Sequence, residues 1–139
     1  MKKGTLLNSE ISYVLSKMGH RDQLAIGDAG LPIPNAVQRI DLAVAKNLPG
    51  FIPVLAAVLS EQRIESVIMA EEIKTVSPRL HDEILQKLHA IERDDHIKIQ
   101  TDYVSHEDFK AKISDCKAVV RTGEFTPFAN IILISGVVF

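Results

Sequence analysis

Two hydrophobic periods take turns along this chain. Stretches with apolar residues every three to four positions alternate with short apolar runs of strand length. Ile11, Val14, Leu15 and Met18 stand at i, i+3, i+4 and i+7, which puts them on one face of a helix. Asn8 or Ser9 can cap that helix, and Gly19 can end it in the left-handed conformation, so that His20 falls just past its carboxyl end. Residues 23–27 read as a short buried strand that delivers Asp28 at its end, and residues 39–44 alternate as a second strand. Residues 51–59 have a helical pattern, and residues 66–70 and 97–104 a strand pattern. Ser77-Pro78 predicts a helix start with serine as cap, and Leu80, Ile84, Leu85, Leu88 and Ile91 form the inner face that follows. Ser105-His106-Glu107-Asp108 has the form of a capping box and opens a short helix through Phe109 and Ile113. Residues 118–121 and 130–134 complete the set as strands.

No linker, low-complexity tract or repeat divides the chain, so residues 1–139 are expected to form one domain. The alternation predicts an α/β layered fold, a sheet flanked by helices, with strand order and strand direction left open. Charge excludes some partners. With 16 Lys+Arg against 18 Asp+Glu and no basic stripe, neither nucleic acid nor an anionic membrane surface is an expected partner. Two lysines near the start are followed by only Leu6 and Leu7, too few for a signal-peptide core. The apolar run 129–139, interrupted by Asn130, Ser135 and Gly136, is far short of the ~20 residues of a spanning helix. The single Cys116 cannot form an internal disulfide, which points to a reducing cytoplasm. No Cys or His pairs have zinc-ligand spacing.

Ligands in such folds collect at strand ends and in the loops beyond them. His20 either balances a helix dipole or acts as a general acid/base, since an imidazole takes up and returns protons near neutral pH. Asp28 is a turn former, or a carboxylate that orients an imidazole or accepts from sugar hydroxyls. His106 is an exposed first-turn residue unless a loop or another chain covers it, and Asn130 serves local backbone or a polar ligand. His81, His89 and His96 are assigned to solvated surface, and Glu71-Glu72 to a charged loop start rather than an acid pair. A metal site of His20, Asp28 and His106 has no helical ligand spacing to support it.

Taken together, Met18-Gly19-His20, the run Asp-Ala-Gly-Leu-Pro-Ile-Pro at 28–34, Arg39-Ile40-Asp41-Leu42 and the block from Arg121-Thr122-Gly123-Glu124 to Phe128-Ala129-Asn130 resemble the family of ribose pyranases and fucose mutarotases. The resemblance extends over the whole chain. It implies an intramolecular isomerase of ribose catabolism that converts β-D-ribopyranose into β-D-ribofuranose. It also implies His20 as proton donor, with Asp28, His106, Phe128, Ala129 and Asn130 binding the sugar, and no metal or organic cofactor. The implied setting is a cytoplasmic homo-oligomer, a decamer of stacked pentamers, with sites near subunit boundaries. Phe128 stands where the family commonly has tyrosine, so a contact through a phenol hydroxyl would be lost. The alternatives are a fucose-type mutarotase and a non-catalytic sugar-binding regulatory subunit. Opening a cyclic hemiacetal needs one proton removed from the anomeric hydroxyl and one delivered to the ring oxygen. Positioned acid/base groups typically contribute ~10²–10⁴-fold to such a step.

Overall fold

Helices cover both faces of a six-stranded sheet in the computed structural model, which describes residues 1–139. In chain order the elements are α1 (Ser9–Lys17), β1 (Gln23–Gly27), β2 (Gln38–Asp41), α2 (Phe51–Leu59), β3 (Ile64–Ala70) and α3 (Ile73–Val76). They continue with α4 (Pro78–Asp95), β4 (Gln100–Val104), α5 (His106–Lys112), a 3₁₀ turn (Ile113–Asp115), β5 (Ala118–Arg121) and β6 (Ile131–Ser135). The strands lie in the order β2-β5-β1-β6-β3-β4. β6 runs antiparallel to both β1 and β3, and the remaining pairs are parallel. The carboxyl ends of β1 to β5 therefore share one end of the sheet with the amino end of β6. The layered α/β expectation holds.

Period-two alternation divides the core. Leu24, Ile26, Val67, Met69, Val120 and Leu133 face a large cluster completed by Ile11, Phe51, Leu55, Ile84 and Leu88 from α1, α2 and α4. Ala25, Ile68, Val119, Ile132 and Ile134 face a smaller cluster closed by Phe109, Ile113, Leu31 and Val37. With both faces covered, β6 is buried along its entire length, which explains the apolar run Ile131–Ile134. No helix is long and apolar enough to cross a membrane.

Several local expectations are corrected. α1 is capped by Asn8, whose Oδ1 accepts from the Ile11 amide at 2.9 Å. Gly19, however, is not left-handed; Arg21 is, with φ 67°. The helix already ends at Met18 in extended backbone, and the Gly19 amide donates to Asp22. The second strand stops at Asp41 rather than continuing to residue 44, because the Asp41 carboxylate turns back to accept from the Ala43 amide. Ser77 precedes α4 but makes no cap bond; its hydroxyl donates to the Pro127 carbonyl at 2.7 Å. The short helix α3, only four residues long, has no periodic signal in the sequence. The Ser105 cap does form: its Oγ accepts from the Asp108 amide at 3.1 Å and donates to the Asp108 carboxylate.

Candidate functional site

β1 ends at Gly27 and hands its direction to Asp28, which lies beside the start of β6. There the buried Asn130 side chain closes a two-point contact. Its Oδ1 accepts from the Asp28 amide and its Nδ2 donates to Asp28 Oδ2, each at 2.9 Å. The other Asp28 oxygen accepts from the Gly30 amide at 2.9 Å, forming an Asx turn. A carboxylate held this way keeps one fixed orientation and still has lone pairs for sugar hydroxyls. Ala129 is fully buried behind it.

Phe128 owes its position to backbone geometry. Its φ of 60° is unusual for a side chain of this bulk, and the Asn130 amide closes the turn by donating to the Phe128 carbonyl. Its ring meets His106 edge-to-face, with centroids 5.0 Å apart. His106 is therefore half-covered by a loop, and its Nδ1 is enclosed without a hydrogen-bond partner. Its backbone amide donates to both oxygens of Glu72 at 3.1 Å. Glu72's own backbone amide, followed by that of His106, holds the Glu72 carboxyl below the usual carboxylate range, against the opposing effect of partial burial.

Arg121, at the end of β5, braces the neighbouring loop. Its Nε donates to the Ala29 carbonyl at 3.0 Å and its Nη1 to both oxygens of Asp41 at 3.1 Å. The beginning of this loop leaves room for no side chain at Gly123, where a Cβ would lie 2.5 Å from the carbonyl oxygens of Ala45 and Leu48. Burial raises the Glu124 carboxyl, but the amides of Phe51 and Thr126 and the Thr126 hydroxyl outweigh it, and the net direction is down. A cleft of about 370 Å³ opens over Asp28, Gly30, Arg121 and Thr126. Its size suits a small polar ligand. A larger cleft of about 820 Å³ lies on the far side of the same loop, against α2 and the start of α4, and does not reach Asp28 or His106.

Asp28, Phe128, Ala129, Asn130 and His106 thus gather at one end of the sheet. His20 does not join them. It precedes β1 while Asp28 follows it, and five strand residues at ~3.3 Å each separate the two by roughly 17 Å or more. The half-exposed His20 ring pairs with Glu65 at 2.8 Å and borders a separate cleft of about 470 Å³ near Gln62 and Ser135. Within one chain, Asp28 does not orient the His20 imidazole.

Sequence reasoning missed some of this. His81 is not solvated surface: its Nε2 lies 2.6 Å from the Tyr103 hydroxyl, and burial lowers its proton affinity. Glu72 reads as a charge at a loop start in the sequence, and no short-range pattern couples it to His106, 34 residues away. His89 and His96 are exposed as expected, and His96 ends α4 in the left-handed conformation. No cluster of metal-binding side chains forms. The Cys116 thiol is buried and pushed up to about 12, which removes it as a nucleophile at neutral pH.

Comparison with known proteins agrees in length and in fold. The family model described as "RbsD / FucU transport protein family" matches residues 1–138. A protein of Aliivibrio fischeri named D-ribose pyranase is 55% identical over 139 residues, all of both chains, and one of Clostridium perfringens with that name is 56% identical over the same span. The solved structure of Bacillus subtilis RbsD complexed with D-ribose superposes with a TM-score of 0.91 at 41% identity, covering all of both chains. Matched along nearly every residue, the chain belongs to the RbsD / FucU transport protein family.

Proposed function

We propose that this protein is a D-ribose pyranase, an isomerase that interconverts β-D-ribopyranose and β-D-ribofuranose. The observation that carries the reading is full-length identity above one half to proteins bearing that name. The site chemistry supports it, because reopening a hemiacetal needs proton transfer and hydroxyl recognition but no nucleophile or phosphate cradle.

In this reading, Asp28, held by Asn130 and Gly30, accepts from sugar hydroxyls, while His106 and the Phe128-Ala129-Asn130 backbone complete the binding surface. The Phe128 ring packs the apolar face of the sugar and offers no hydroxyl of its own. His20 delivers a proton to the ring oxygen as the anomeric hydroxyl gives one to water; the open aldehyde turns, and a different hydroxyl recloses the ring with both transfers reversed. Because His20 sits at the far end of β1 from Asp28, we assign the His20 of each site to a second copy of the chain. The protein then works as a homo-oligomer, and a decamer of stacked pentamers is the assembly we propose. A cytoplasmic setting for ribose breakdown fits the lone, unpaired Cys116.

Saturation-transfer NMR on D-ribose tests this directly. The wild-type protein should exchange pyranose and furanose signals faster than buffer, and His20→Ala should lower that exchange by about 10²-fold or more. Exchange by His20→Ala at the wild-type rate removes His20 from the reaction. Line broadening of ribose by the wild type without exchange means a binding protein only.

A further inference from the structure

We infer that Glu72 is the positioning residue for His106, setting the ring so that it meets a ligand through Nε2 as a hydrogen-bond donor. Glu72 ends the turn after β3, and both its carboxylate oxygens accept from the His106 amide at 3.1 Å. The first residue of α5 is thereby tied to the corner of a different strand. The ring itself is clamped from two sides. Phe128 stands edge-on at 5.0 Å and 84°, and Phe109 lies nearly parallel at 6.5 Å and 9°. In this position Nδ1 is enclosed and without a partner, which leaves Nε2 as the nitrogen a ligand can reach.

The location of Nδ1 decides the proton. A neutral imidazole carries one N–H, and placing it on Nδ1 would bury an unpaired donor, the rarer and more costly kind of orphan. The proton therefore resides on Nε2. With its proton on Nε2, His106 faces a sugar oxygen as a hydrogen-bond donor. The kinetic part of this inference rests on the ribose reading above; the spectroscopic part does not.

Two measurements test it. Long-range ¹H–¹⁵N spectra of histidine-labelled, ligand-free protein at about pH 8, where imidazoles are neutral, should show His106 as the Nε2–H tautomer. Glu72→Gln, whose amide oxygen still accepts from the His106 amide, should keep that signature, and Glu72→Ala should give a mixed one. In ribose exchange, Glu72→Ala should raise the half-saturating sugar concentration about fivefold with the maximal rate within about twofold, and Glu72→Gln should restore it. An Nδ1–H tautomer in the wild type, or a Glu72→Ala protein with wild-type spectrum and saturation, overturns the inference. Should Glu72→Ala fail to fold, His106→Gln and His106→Asn decide. The Gln amide nitrogen occupies the place of Nε2 and should retain more exchange than Asn, whose nitrogen overlays Nδ1; equal or reversed losses refute the donor role. A wild-type protein that leaves ribose anomers unexchanged defeats the proposed reaction, while the tautomer spectrum still judges Glu72.

Discussion

A Cβ on Gly27 would collide with the Leu31 side chain and come within 2.9 Å of Asn130 Oδ1. The bare backbone there is what lets the Asn130 amide reach Asp28, so Gly27 shapes the site without touching a ligand. Gly27→Ala should destabilise the protein by about 1–3 kcal/mol through overpacking and displace Asn130. We expect thermal unfolding to shift down and ribose exchange to fall at least about tenfold, since a misplaced binding group costs orders of magnitude in rate. A variant with full exchange would show that Asn130 is not held by this contact. At this scale the sequence was a fair guide to residue type. Asp28, His106 and Asn130 stood out as polar groups in loops beside apolar elements, but the bond joining Asp28 to Asn130 spans 102 positions and follows from no local pattern. The same holds for His81, whose partner Tyr103 lies on another element and draws it out of solvent.

At the level of elements, β1 and α2 were legible to their end residues, because turn formers or proline stand close to both. The capping position before α2 is nonetheless Gly50, which has no side chain to cap it. The cap comes from Glu124, 73 residues later, whose Oε2 accepts from the Phe51 amide at 2.9 Å. That bond joins the helix to the loop before β6 and has a pH signature. The Glu124 carboxyl is depressed in the fold, so its contribution is present above the ordinary value of 4.5 and fades as pH falls through the lower folded value. Urea unfolding of wild type should therefore lose stability below about pH 4.5, and Glu124→Gln should show a shallower acid decline together with lower stability at pH 7. Parallel acid limbs for the two proteins would disprove the assignment. Ser77 marks where sequence reading fails. Ser-Pro does open α4, yet the serine hydroxyl is drawn away to Pro127 by tertiary packing, a competition that local preference cannot register.

For the molecule as a whole, alternation of periods revealed the layers but not the reversal of β6, since a strand buried on both faces reads alike in either direction. If each site joins the His20 of one copy to the Asp28 of another, His20→Ala and Asp28→Asn proteins are each inactive alone. Unfolded together and refolded at equal amounts, they should recover about a quarter of wild-type exchange, the fraction of random neighbour pairs with both groups intact. No recovery in verified mixed oligomers would return both groups to a single chain.

β6 begins just after Asn130, which holds the Asp28 carboxylate, and ends at Ser135, whose carbonyl accepts from the Arg21 amide, next to His20. On the proposed reading, this one strand links the pole that receives the sugar to the pole that donates the proton. A protomer built this way is directional, like a link with a hook and an eye. If each site takes its His20 from a neighbour, as proposed, a row with free ends leaves one hook and one eye idle, whereas a closed ring gives every copy a working partner.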